Sequence, residues 1–175
     1  MEQRYIMTGF GQDRVGIVAD LTEVMFELGC NLEDSNMTRL ANEFAVIFLF
    51  TASDDTIEDK LSLACRRLEK DKGLSAFFRR VDSKDRKAPA PAATHSIRAE
   101  GPDQIGIVYK ISRYLAANEV NIVNLQARRS FSPGSGTALY SVHLEVECPQ
   151  HLSLDKLDQG LHRIADDIHV DIQLS

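Results

Sequence analysis

The sequence predicts an α+β protein made of two copies of one β-α-β-β-α-β unit, each a four-stranded antiparallel sheet with two helices on one face. Three observations carry that reading. The segment Gly11-Gln12-Asp13-Arg14-Val15-Gly16-Ile17-Val18 returns about 90 residues later as Gly101-Pro102-Asp103-Gln104-Ile105-Gly106-Ile107-Val108, and the register holds through Asn31-Leu32 and Asn121-Ile122. Within each copy the hydrophobic spacing switches between a period of two and a helical period in the same order. Between the copies, residues 82–93 are charged and then alternate Pro with Ala, which suits neither a helix nor a strand ladder. The expected division is a first domain over 1–82, a linker over 83–93 and a second domain over 94–175.

Taken in order, Arg4 to Phe10 reads as a strand, and Asp13 stands where an N-cap belongs, ahead of the stripe Ile17, Leu21, Met25, Leu28. Gly29 suits the left-handed stop of that helix. Asn31 to Leu40 and Glu43 to Ala52 form a hairpin over Ala41-Asn42, where Asn accepts a positive φ. Ile57, Leu61, Ala64 and Leu68 mark a second helix, Gly73 ends it, and Ser75 to Val81 is the last strand. The second copy repeats this. A strand over His95–Ala99 leads to a helix on Ile107, Ile111 and Leu115, then to hairpin strands Asn121–Phe131 and Thr137–Glu147. A helix on Leu154, Leu157, Leu161 and Ile164 and a strand over Ile168–Leu174 complete it. The second hairpin turn, Ser132 to Gly136, is longer and its glycines read as a flap. This order of elements is that of a ferredoxin-like sandwich.

The third strand of each unit distinguishes the two. Phe44, Val46, Phe48 and Phe50 alternate with Ala45, Ile47 and Leu49, so both faces are apolar. Tyr140, Val142, Leu144 and Val146 instead alternate with Ser141, His143, Glu145 and Glu147, as a strand with one wet face does. The outer face of the first sheet is therefore expected to be covered by another domain, a second chain or a partner.

Composition narrows the function classes. Lys and Arg number 20 against 26 Asp and Glu, a net charge of -6 that has the wrong sign for binding a phosphate backbone directly. Three widely spaced cysteines, Cys30, Cys65 and Cys148, form no Cys-x-x-Cys pair and fit reduced thiols in a cytoplasm. No basic segment followed by an apolar signal stretch opens the sequence, and the longest apolar run, Phe44 to Phe50, is far below the roughly 20 residues a bilayer requires. No membrane association is expected. Nucleophile-elbow, phosphate-loop and zinc-protease patterns are absent from the sequence. Glu33 and Asp34 are adjacent on a strand and so should point to opposite faces. His151, His162 and His169, with Asp166 and Asp167, have no metal-site spacing, and the basic pairs Arg66-Arg67 and Arg79-Arg80 lie among acids. The expectation is a protein that is not an enzyme and uses neither cofactor nor metal.

The repeated turn is the candidate site. Gly11 and Gly101 permit a tight reversal out of the strand, and Asp13 and Asp103 can cap the helix. Gly16 and Gly106 should fall in the first helical turn, where Gly costs about 0.5–1 kcal/mol against Ala. Close helix packing or close approach of a ligand to the backbone would explain them, and a helix N-terminus is a natural seat for a carboxylate. Asn31 and Asn121, entering the next strand beside that turn, offer an amide donor and acceptor that suit an amino acid, or else merely close the turn.

These residues carry a resemblance. The Gly-x-Asp-x-x-Gly-Ile-Val turn, the following Asn and the element order resemble the ACT domain, present as a tandem pair over essentially the whole chain. Gly29-Cys30-Asn31-Leu32-Glu33-Asp34-Ser35 with Glu43-Phe44 is similar to the glycine cleavage system transcriptional repressor group. That resemblance implies a regulatory module that binds a small amino acid such as glycine at an interface between paired domains, using this turn and the start of the second strand. It implies action through a transcriptional activator protein, without direct nucleic acid binding, and a homo-oligomer. The ligand-binding set is then Gly11, Gln12, Asp13, Arg14, Val15, Gly16, Ile17, Asn31 and Leu32, with Gly101, Asp103, Gln104, Ile105, Gly106, Ile107, Asn121 and Ile122 in the second copy. Gln104 replaces Arg14, so the first copy is expected to be the working one. A ligand-independent module that docks on a transcription factor or metabolic enzyme is the alternative.

Overall fold

The computed structural model describes residues 2–81, 93–132 and 134–175. The element order is β1 (Gln3–Gln12), α1 (Ile17–Glu27), β2 (Asn31–Leu40), β3 (Glu43–Ala52), α2 (Ile57–Lys72) and β4 (Ser75–Val81). It then repeats as β5 (Ala93–Pro102), α3 (Ile107–Ala117), β6 (Asn121–Phe131), β7 (Ala138–Cys148), α4 (Leu154–Ile168) and β8 (Asp171–Leu174). The strands pair antiparallel in two sheets, ordered β2-β3-β1-β4 and β6-β7-β5-β8. The chain divides into two compact units, Met1–Lys87 and Ala88–Ser175. The linker expected over 83–93 lies outside the described residues except for Ala93, which already opens β5.

Each unit is a two-layer α+β sandwich whose core is the seam between the helices and one sheet face. In the first, Tyr5 and Met7 of β1 and Phe44, Val46, Phe48 and Phe50 of β3 meet Ile17, Leu21 and Met25 of α1 and Ile57, Leu61 and Leu68 of α2. In the second, Ile97, Val142, Leu144 and Val146 meet Ile107, Ile111, Leu115, Leu157 and Leu161. Burying each such side chain stabilises by about 1.5–3 kcal/mol, and the central strands contribute most because their inward positions are all apolar.

Several local expectations are corrected. In the β2–β3 turn it is Ala41, not Asn42, that takes the positive φ, at 54°. The stripe Leu157, Leu161, Ala165, Ile168 continues the α4 pattern by three and four residues, so Ile168 belongs to the helix and His169, at φ 50°, ends it. The last strand is therefore Asp171–Leu174. A bulge between Leu32 and Asp34 breaks the alternation expected of Glu33 and Asp34: Glu33 pairs with Arg4 at 2.5 Å, while Asp34 accepts the Ser35 N–H at 2.7 Å. The Ser132–Gly136 turn includes Pro133, which lies outside the described residues; on either side of it Ser132 N–H donates to the Thr137 carbonyl at 2.9 Å.

Two surfaces stay apolar or unpaired. The edge strand β2 is exposed at every position, and β6 keeps only Ile122 and Ala127 half-buried, because the helices lie over the inner strands. On the outer face of the first sheet Phe10 and Phe77 stack with ring centroids 6.0 Å apart, and with Ile47 they remain about half exposed.

Candidate functional site

The repeated turn joins β1 to α1 and β5 to α3. Its second glycine is the N-cap in each case, with Gly16 at φ 86° and Gly106 at φ 99°, and no side chain caps either helix. This corrects the placement of Gly16 and Gly106 inside the first helical turn. A Cβ at either would have nothing within 4 Å, so neither packing nor a neighbouring group calls for glycine there. The left-handed backbone does. Gly11 and Gly101 are also reassigned, since they lie within strands and permit close approach rather than a reversal. A Cβ on Gly11 would come within 2.8 Å of Leu74 Cδ2, and one on Gly101 within 2.7 Å of Val170 Cγ1, where the chain leaves α2 and α4.

Asp13 and Asp103, expected as caps, stand three residues ahead of the N-cap and do something else. The Asp13 N–H donates to the Asn42 carbonyl at 2.8 Å and its Oδ2 pairs with Arg39 at 3.1 Å. The Asp103 N–H donates to the Ala138 carbonyl at 3.0 Å and its Oδ2 pairs with Arg129 at 2.7 Å. Each turn is thus tied to the tip of the neighbouring hairpin, at its own end of the sheet. Arg39 and Arg129 were missed by the sequence reading, although each follows its aspartate at the same separation in both copies.

Arg14 and Gln104 make different contacts. Arg14 pairs with Asp20 in the first turn of α1 at 2.5 Å, and Lys72 of α2 reaches the same carboxylate at 2.9 Å. Hydrogen bonds from Lys72 and then Arg14 hold the Asp20 carboxyl below the usual carboxylate range. Gln104 instead donates to the Ile168 carbonyl at the end of α4. The helix-to-helix ion pair is kept with its signs exchanged: Lys110 of α3 meets Asp167 of α4 at 2.5 Å, and α3 has no acid in its first turn.

At the tips, Val15 and Ile105 are fully exposed. The first N–H groups of each helix lie beside them without intrahelical partners, and no side chain caps either helix, although the Ile17 N–H donates to the Arg14 carbonyl at 3.4 Å. The second turn borders an open depression of about 590 Å³ lined by Gln104, Ile105, Gly106, Tyr109 and Tyr140.

Asn31 and Asn121 are not beside the turns, which overturns their expected position. Asn31 is opposite Thr51, which is opposite Arg4, whereas the turn leaves β1 after Gln12, in the row of Glu43 and Leu40. About eight strand residues separate the two rows, roughly 27 Å. The reason is topological: α1 carries the chain back along the sheet, so β2 starts at the opposite end and runs parallel to β1. Asn121 likewise lies in the row of Glu147 and Thr94, donating to Glu147 Oε2 at 3.1 Å. Leu32 and Ile122 sit with them. Within one unit the predicted residues fall into a turn group and a distant strand-start group.

The histidines near the C-terminus do not meet either. His151 lies 3.8 Å from Glu119 and His162 lies 3.4 Å from Asp158, and among the described residues no three His, Cys, Asp or Glu converge on a metal geometry. No helix among the described residues is long and apolar enough to cross a membrane.

Two sandwiches of the same element order, each with a glycine turn between its first strand and first helix, define a tandem repeat of one ferredoxin-like domain. Residues 3–79 match the ACT domain model, and the first unit belongs to the ACT-domain family. Over 167 residues the chain is 24% identical to the glycine cleavage system transcriptional repressor of Escherichia coli (strain K12), covering 94% of this chain and 85% of that protein. It is 31% identical over 80 residues to a UPF0237 protein of Methanopyrus kandleri, covering 45% of this chain and 89% of that protein. Among solved structures, an unknown protein from Galdieria sulphuraria superposes with a TM-score of 0.81 at 28% identity, covering 100% of this chain and 98% of the other.

Proposed function

We propose that the protein is a non-enzymatic regulator that senses a small amino acid, glycine or a close relative, and that each site is shared between two copies of the chain. One copy supplies the turn, Gly11–Ile17 or Gly101–Ile107, and another supplies the start of an edge strand, with Asn31 or Asn121. The register carries this reading. Turn and asparagine lie at opposite ends of parallel strands, so two exposed edge strands running antiparallel would bring the asparagine end of one beside the turn end of the other. The ligand carboxylate would meet the helix N–H groups and the asparagine amide would serve its ammonium. Such a site gives a ligand leverage over how copies associate, because its affinity differs between the joined and separated states.

Charge favours the first turn as the stronger seat. Arg14 and Lys72 together outweigh the single Asp20 carboxylate they share, whereas Lys110 at the start of α3 is matched by Asp167. The name of the Escherichia coli relative supports a role in regulating glycine metabolism, acting here through a partner such as a transcriptional activator. The test is a thermal-shift series with glycine, serine and other amino acids. Stabilisation by at least one at millimolar concentration is expected, since binding to the folded state must raise apparent stability. A flat response to all of them contradicts the reading.

The exposed Phe10, Ile47 and Phe77 on the first sheet favour a second reading, constitutive docking on a partner. Phe77→Glu would abolish docking and spare any ligand response, while Gly16→Val would do the reverse.

A further inference from the structure

We infer that Arg39 and Arg129 are positioning residues for the glycine turns, a role that rests on the proposed function only for its ligand consequence. The observation is a two-point clamp found independently in each unit. In both, a backbone N–H and a carboxylate of one aspartate are fixed to the adjacent hairpin: Asp13 to the Asn42 carbonyl and Arg39, Asp103 to the Ala138 carbonyl and Arg129.

The geometry explains why both points are needed. The aspartate follows the end of the inner strand, and the arginine stands on the edge strand, opposite Phe44 in one unit and Tyr140 in the other. The ion pair therefore spans the intervening strand. The backbone bond alone fixes one atom and leaves the turn free to rotate about it, whereas the added pair fixes the direction in which the turn leaves the sheet. That direction sets where the left-handed glycine and the first helical N–H groups point, since no side chain caps either helix. The other contacts near the turn differ between copies: Arg14 to Asp20 in one, Gln104 to the Ile168 carbonyl in the other. The clamp is what stays the same while those contacts have diverged. Asp13 and Asp103 are mostly shielded, at 26% and 28% side-chain exposure, while their arginines are more than half exposed, so either arginine can be truncated without opening the core.

The test uses the full-length protein and the variants Arg39→Ala, Arg39→Lys, Arg129→Ala and Arg129→Lys. Amide hydrogen exchange without ligand reads the clamp directly. Exchange across residues 12–18 is expected to rise at least about tenfold in Arg39→Ala, and across 102–108 in Arg129→Ala, with the other unit unchanged and the Lys variants close to the parent. Core amides should keep their rates, because an exposed ion pair adds little to global stability. A change spread evenly over the unit would make the arginine merely structural, and unchanged exchange at the turn would overturn the inference outright. Thermal shift with glycine is then read on the same proteins. If glycine stabilises the parent, the Ala variant in the unit that binds more tightly should lose at least half of that shift, and the Lys variant at the same position should keep it. If glycine leaves the parent unmoved while the turn exchange rises as expected, the clamp stands and the amino-acid reading falls.

Discussion

Gly16 and Gly11 are both glycines of one motif, yet they respond to substitution for different reasons. Gly16→Ala places a Cβ in open space at φ 86° and is expected to cost about 1–2 kcal/mol of backbone strain. Gly11→Ala has an ordinary backbone but meets Leu74 Cδ2 and the Gly73 carbonyl, so an overpacking cost of about 1–3 kcal/mol is expected. Urea denaturation checks both, and only the Gly11 defect should be relieved by trimming Leu74 to Val. The recurrence of these glycines was legible in the sequence; their causes were not, because one depends on a dihedral angle and the other on a contact more than sixty residues away. The aspartates were misread for the same reason: capping is a local rule, and the ion pair to Arg39 or Arg129 crosses a strand. A second single-residue test concerns acid. Asp54 accepts the Thr56 N–H and hydroxyl at 2.8 Å each and pairs with Lys60. Its carboxyl is pulled down to about 2, first by Lys60 and then by Thr56. A depressed carboxylate stabilises the fold above its unfolded value of about 4 and loses that contribution as pH falls through the folded value. Asp54→Asn should therefore melt below the parent at pH 7, with the gap closing on acidification toward pH about 2, and a gap independent of pH would refute this origin.

At the scale of elements, the alternation of β3 and the stripes of α1 and α3 were read directly, because each depends only on neighbours in sequence. The hairpin was placed correctly over Ala41-Asn42, but the positive φ falls on Ala41 and not on Asn42, where asparagine's tolerance of the left-handed region had pointed. Ala41→Gly is accordingly expected to stabilise by about 0.5–1 kcal/mol, the relief of a left-handed alanine less the added freedom of the unfolded chain. A lower denaturation midpoint in that variant would contradict the assignment. α4 ran past its expected end because Ile168 satisfies either a helical stripe or a strand start, and burial on the helix side decided between them. Leu21 lies against the open backbone of Gly9 in the centre of the first core, where Leu21→Ala should cost about 2–5 kcal/mol by calorimetry.

For the whole molecule, the doubled architecture was visible in the sequence, while the arrangement of its site was not. Residues close in a motif were expected to be close in space. The parallel course of β1 and β2 instead sends Asn31 to the other end of the sheet from Gly16, and Asn121 from Gly106. The two copies have also diverged electrically, with Asp20 and Lys72 replaced across the helix pair by Lys110 and Asp167, so they are not expected to bind equally well. The central claim is that one chain's turn and another chain's asparagine make one site. Mixing two inactive variants tests it most directly: Gly16→Val/Gly106→Val, which loses both turns, and Asn31→Ala/Asn121→Ala, which loses both strand starts. Neither should bind glycine by calorimetric titration, and an equimolar mixture should regain binding through the pairs that combine an intact turn with an intact asparagine. A mixture as silent as its components, alongside a parent protein that binds, would contradict the account.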